Sequence, residues 1–229
     1  MKTTIYTAVG HLTHKRSEDG TSYPVILLNR REYGVDVQEM TVWAALCWEF
    51  LTMDEIRAKY AEYTNKLPSE RRTLEDCVAR LKTRGLIAFG CGESGREALY
   101  DLLADLYVVP VSENLVIRWL AFWKLVLTHG VSPKRAGVLL GRDKRDERET
   151  QIMALVHQAV LSTAELIKCV EVGATDISTD VKLLEALYVD PDVTCDNLPC
   201  LMRSAGSRED VMVAVANLYL RKQVVLERV

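Results

Sequence analysis

Gly90-Cys91-Gly92-Glu93-Ser94-Gly95 spells G-x-G-x-x-G, the spacing that lets a pyrophosphate come close to the backbone at the start of a helix. The flanks fit that chemistry locally. Leu86–Phe89 reads as a strand before the glycines, Arg96–Leu106 as a helix after them and Tyr107–Val111 as the next strand, with Glu113 placed to meet a ribose. A dinucleotide domain needs several further strands in the same sheet, however, and residues 114–190 read as helical almost throughout. The other reading is a glycine-rich turn followed by a helix and a strand returning to the same small sheet. Nucleotide binding through Gly90–Gly95 stays as the minor alternative.

Other reactive side chains are not arranged for catalysis. His11 and His14 lie at a strand end with no third ligand nearby. The six cysteines, Cys47, Cys77, Cys91, Cys169, Cys195 and Cys200, form no Cys-x-x-Cys pair and no Cys/His ladder. They read as free, buried thiols of a reducing compartment. There is no phosphate loop, no nucleophile elbow and no His-Glu-x-x-His, and His157 reads as a structural residue of a helix. The expectation is a non-enzyme, with no catalytic residues, no metal and no cofactor.

Positioning falls to a helical stretch, Glu39 to Glu55, that is apolar on two sides. Val37, Met40, Ala44, Cys47, Trp48 and Leu51 share one face, Trp43, Leu46 and Phe50 a second, and Gln38, Glu39 and Glu49 are left for water. Asp36 stands where an N-cap belongs. Thr52-x-x-Glu55 is a capping box that starts a second helix, running to about Tyr63 and broken at Lys66-Leu67-Pro68. Thr73-x-x-Asp76 starts a third, which Gly85 ends by offering a left-handed cap. Ahead of all three, Ile5–Leu12 and Tyr23–Leu28 read as strands of a hairpin whose turn is Ser17-Glu18-Asp19-Gly20.

A copy follows. Shifting by 110 positions lays Glu39, Ala44, Leu51 and Glu55 on Glu149, Ala154, Leu161 and Glu165 without a gap, which predicts a duplicated unit. Ser162-x-x-Glu165 is again a capping box, Thr179–Tyr188 an extra helix and Asp190–Pro199 a loop. Ser207-x-x-Asp210 starts the counterpart of the third helix, with VARLKTRGLI matching VANLYLRKQVV if one residue is inserted, and Val224–Leu226 is the strand after it. Leu115–Leu127 and Ser132–Leu140 read as connecting helices, and Arg142–Arg148 as a charged helix start. The expected fold is mainly α with short β-strands (α+β). Residues 1–112 form the first unit, 113–145 the connection and 146–229 the second unit.

Three short helices, the last leading through a basic segment and a glycine into a strand, resemble the winged helix-turn-helix superfamily. The likeness covers residues 37–95 and extends to tandem winged-helix proteins such as bacterial transcriptional regulators. It implies that Thr73–Arg84 is the reading helix and Gly90–Gly95 the wing tip. Arg71, Arg72, Arg80, Lys82, Thr83, Arg84 and Arg96 are then the residues that would meet double-stranded DNA. Glu75 and Asp76 at the start of that helix are unfavourable to phosphates, although both suit a helix N-terminus.

Charge separates the halves. Residues 1–90 carry 13 Lys+Arg against 12 Asp+Glu, whereas residues 151–229 carry 7 against 11, and the net charge is −3. Only the first unit could present a basic patch. In the second, the face Val213, Ala216 and Leu220 of its third helix is apolar where DNA would lie. It reads as an interface, buried against the Leu115–Leu140 helices, a second copy in a homodimer, or another protein partner. No stretch reaches the roughly 20 apolar residues of a membrane span, and the start lacks a signal-peptide core, so a cytoplasmic protein without a membrane partner is expected. Two functional classes stay open beside nucleotide binding. One is a DNA-binding transcriptional regulator that assembles through its second unit. The other is a non-catalytic tandem winged-helix adaptor, similar in kind to the acidic partners of chromosome-condensing complexes or to the winged domains that hold peptide substrates for modifying enzymes.

Overall fold

A computed structural model describes residues 2–16, 20, 22–64, 72–111 and 144–228. The expected connecting helices, the turn at 17–19, the break at 66–68 and Arg71 lie outside the described residues. The fold is mixed α+β, with helices set against small antiparallel sheets.

Strand β1 (Thr3–Ala8) is followed by β2 (His11–Arg16), β3 (Ser22–Leu28) and β4 (Arg31–Tyr33). The single strand expected over Ile5–Leu12 is cut in two at Gly10, whose φ is +83° and whose missing Cβ would sit 2.6 Å from the Leu27 carbonyl oxygen. A side chain there would be both strained and blocked, so the chain turns. β2 pairs with β3 as the expected hairpin, and β4 extends it through a two-residue turn at Asn29 and Arg30, both at positive φ. β1 leaves this meander and pairs instead with β5 (Ile87–Gly92).

Three helices fill the interval: α1 (Val37–Leu46), α2 (Met53–Thr64) and α3 (Leu74–Thr83). The first is shorter than its apolar pattern suggests. Trp48 adopts φ 58° and ends it, so Trp48, Phe50 and Leu51 lie beyond the helix. Leu51 makes an isolated antiparallel bridge to Tyr6. α4 (Gly95–Leu103) follows β5, and β6 (Tyr107–Pro110) then joins a different sheet from the one expected. Its neighbours are β7 (Leu161–Ser162) and β8 (Val224–Glu227). Between these come α5 (Glu147–Val156), α6 (Thr163–Glu171), α7 (Asp180–Leu187), α8 (Leu198–Leu201) and α9 (Arg208–Leu220).

The same hydrogen bonds recur in both halves. Asp36 caps α1 and Asp146 caps α5, each in a capping box closed by the third helical residue, Glu39 or Glu149. Tyr6 lies between Leu51 and Phe89 as Val108 lies between Leu161 and Leu226. Thr52 and Ser162 open the next helices, answered by Glu55 and Glu165. The third helices close alike: Leu86 N–H meets Leu81 O and Gln223 N–H meets Leu218 O, both at 2.9 Å, around left-handed Gly85 and Lys222. These equivalences set Arg84 on Arg221 with no residue inserted, which corrects the alignment drawn from sequence. They also show that one strand of each sheet, β1 or β6, precedes its helices, and that β5 runs directly into α4, so no hairpin wing follows α3.

Two further expectations change. Ser207 has helical backbone angles and makes no cap bond; its N–H meets Glu171 Oε1 at 2.6 Å. Glu39, expected in water, is 1% exposed, as is Glu149. Arg80 Nε reaches Glu39 Oε1 at 2.5 Å and Arg84 Nη1 reaches Oε2 at 3.1 Å, so α3 is clamped to the start of α1. Buried charge persists only when paired in this way. Glu39→Ala therefore removes a cap and unties two guanidiniums, of which Arg80 is half exposed, at a cost of about 1–2 kcal/mol. Glu149→Ala should cost less, because one arginine alone binds it. Denaturant titration of both variants checks the order.

Candidate functional site

The residues expected to meet DNA are largely committed elsewhere. Arg72 ion-pairs with Asp36, and Arg80 and Arg84 with Glu39. Arg84 also donates to the Gly34 carbonyl at 2.5 Å and lies over the Tyr33 ring. Lys82 sits over the Phe89 ring at 3.4 Å, and Thr83 donates back to Ala79 O. Arg96 is on α4, not beside α3, and pairs with Glu209 at 2.5 Å. The solvent face of α3 thus carries Glu75, Asp76, Ala79, Arg80, Lys82 and Thr83, and Glu75 in turn binds Arg57. Burial opposes ionisation of Asp36, but the Glu39 amide and Arg72 outweigh it and hold the carboxyl below its usual range.

Gly90 and Gly92 serve packing. Both belong to β5, under α4, where a Cβ on Gly90 would lie 2.2 Å from Ala98 O and one on Gly92 2.5 Å from Ala98 N. Of the expected wing tip, Gly90–Gly92 is therefore strand packed under a helix, and Glu93–Gly95 is the exposed turn into that helix. At the start of α4 Ser94 accepts from Glu97 N–H, and Glu97 accepts from Glu93 N–H. Cys47 is half-buried and Cys77 and Cys169 are buried, but Cys91, Cys195 and Cys200 are exposed, against the expectation of buried thiols throughout.

On α9 the expected interface divides. Val213 and Leu220 are each 45% exposed, whereas Ala216 is 6% exposed and belongs to the core. A buried residue that joins the halves is Tyr219, which sequence reasoning passed over. Its hydroxyl lies 2.9 Å from Thr7 Oγ1, accepts from Trp48 N–H at 2.9 Å and donates to Ala8 O at 3.2 Å. Burial pushes this phenol far above its usual range.

An open apolar groove of about 560 Å³ lies between the meander and α1, lined by Tyr23, Pro24, Val35, Val37, Met40, Ala44 and Tyr63 among others. Val37, Met40 and Ala44 recur at helical spacing and were legible as one apolar face. The structure turns that face outward: Val37, Tyr23 and Tyr63 are exposed. No protein-family model, curated protein or solved structure matches this chain.

Gly90→Ala should lower the melting temperature, overpacking of this kind costing about 1–3 kcal/mol. Gly95→Ala, with open space around it, should not. Titration of the wild-type chain with NAD, followed by tryptophan fluorescence, should show no saturable change.

Proposed function

We propose that the chain is a non-catalytic adaptor of two winged-helix-like units that holds an apolar segment of a protein or peptide in the groove beside α1. The groove carries this reading. It is lined chiefly by apolar side chains, and three of its large ones stand in water, which costs roughly 25 cal/mol for each Å² of apolar surface left uncovered. The order helix, short extended segment, helix, helix, strand in the first half supports the winged-helix comparison, and the second half keeps it with α7 and α8 inserted before its last helix; in both, a further strand enters from before the helices. Ion pairing favours the adaptor over DNA. Arg72, Arg80 and Arg84 neutralise carboxylates of their own fold, so fewer counterions would be released from a duplex. Among the described residues no helix is long and apolar enough to cross a membrane.

The full chain, panned against a display library of short random peptides, should enrich sequences rich in apolar side chains. Ala44→Arg, at an exposed position on the groove wall, should weaken their binding by about tenfold or more. A duplex mobility shift at low salt that Lys82→Ala weakens, with no peptide enriched, would place the protein with DNA-binding regulators instead.

A further inference from the structure

Glu39 and Glu149 hold the same place in the two halves, but their partners differ. Glu39 has an arginine on each oxygen. Glu149 Oε2 meets Arg221 Nη1 at 2.8 Å, as Glu39 meets Arg84. The position equivalent to Arg80 is Asn217, and Glu149 Oε1 is buried without a hydrogen-bond partner. An anionic oxygen in that state is costly, and the first half shows what satisfies it: a guanidinium entering from the side of the third helix.

The surface around Asn217 has matching chemistry. Val213 lies one turn before it and Leu220 one turn after, both exposed, so an apolar side chain stands on each side of a half-buried amide. Beside Val213 opens a cleft of about 470 Å³ between the starts of α5 and α9. Asp146, Glu147, Glu209 and Asp210 line it, together with Arg148, Gln151 and Ala214. Arg148 approaches Asp210 only to 3.9 Å, and Glu209 holds Arg96. Carboxylates outnumber cations there, which repels phosphates and attracts a basic protein segment.

We propose that this face of α9 docks a partner segment presenting an arginine between apolar side chains, its guanidinium completing Glu149 Oε1 as Arg80 completes Glu39. Arginine suits the site better than lysine, because its planar fork can serve the carboxylate and the Asn217 amide oxygen together. The inference rests on the adaptor reading only in that the partner is a protein, and it uses a different surface from the α1 groove.

Asn217→Arg supplies the missing guanidinium from within the chain. It should raise the melting temperature, and a fall would overturn the proposal by showing that the oxygen is out of reach. Among peptides enriched on the full wild-type chain from the random display library, one class should carry arginine flanked by apolar residues. Its binding should fall about tenfold or more on Asn217→Arg and on Val213→Glu, yet be unchanged by Ala44→Arg. Enrichment confined to peptides that Ala44→Arg abolishes and Asn217→Arg leaves intact would sink this site while sparing the groove. Loss of the Ala44-dependent class alone would do the reverse. A dimer by light scattering that Val213→Glu converts to monomer would assign the face to a second copy and also overturn the proposal.

Discussion

One buried carboxylate in each half fixes the geometry of everything near it. Glu39 sits third in α1, where its side chain satisfies the N-cap amide of Asp36 and leans toward the helix start. That position also places it against the end of α3, and the two arginines there convert a local cap into a long-range tie. Because α3 ends in a left-handed turn immediately after Arg84, the same tie sets the direction in which β5 leaves. β5 then pairs with β1 in a register that carries Tyr6 onto Phe89, and Tyr6 in turn meets Leu51. Cap, helix crossing and the exit of β5 thus meet at a single charge taken out of water.

The second half repeats this plan with different chemistry on its third helix. Where α3 has Lys82, α9 has Tyr219; Thr83 becomes Leu220, and Gly85 becomes Lys222. Lys82 stays at the surface over Phe89, but Tyr219 is sunk between the halves with its hydroxyl fully used. Phe50 packs on its ring at 5.3 Å. Lys222 accepts a left-handed backbone that glycine would adopt freely, a strain of about 1–2 kcal/mol. Its ammonium lies 5.3 Å over the Trp48 ring, a contact that offsets about 0.5–1 kcal/mol of it. With Gly10 N–H donating to Leu226 O at 2.8 Å, the halves share one continuous core.

Local signals in the sequence were the legible ones. Thr52, Thr73 and Ser162 all accept the cap bonds that their spacing promised, because capping depends on a few consecutive residues. The shift of 110 positions was legible for the same reason: Glu39, Leu51 and Glu55 lie in one uninterrupted segment. It fails for the third helix, where α7, α8 and the Asp190–Pro199 loop lengthen the offset to 137, and the extra residue in the alignment came from matching Leu86 and Ile87 to the apolar Val224 and Val225 where the structure sets Leu86 on Gln223. Long-range pairing was not legible. Nothing local tells β1 to leave the meander for β5. Glu39 looks like a surface residue until Arg80 and Arg84 are seen beside it. The glycines of the G-x-G-x-x-G stretch show the limit most plainly, since close approach by a helix and close approach by a phosphate ask for the same missing side chain.

Divergence between the halves bears on what the protein can bind. A pair of third helices serving DNA together would keep cations at matching positions, since a duplex presents the same phosphates to each. Here Arg80 is matched by Asn217 and Lys82 by Tyr219, while Arg84 and Arg221 are kept and both point to a buried glutamate. The arginine common to both halves binds the buried glutamate in each; the cations that differ, Arg80 and Lys82, are exposed. Loss of Lys82's charge in the second half gives the contact with the first half, and loss of Arg80's leaves a buried carboxylate oxygen without a donor. Two copies of one plan have therefore separated into a half that is electrostatically complete and a half that lacks one cation. The two halves present different chemistry at the same place, even where their backbones follow the same course.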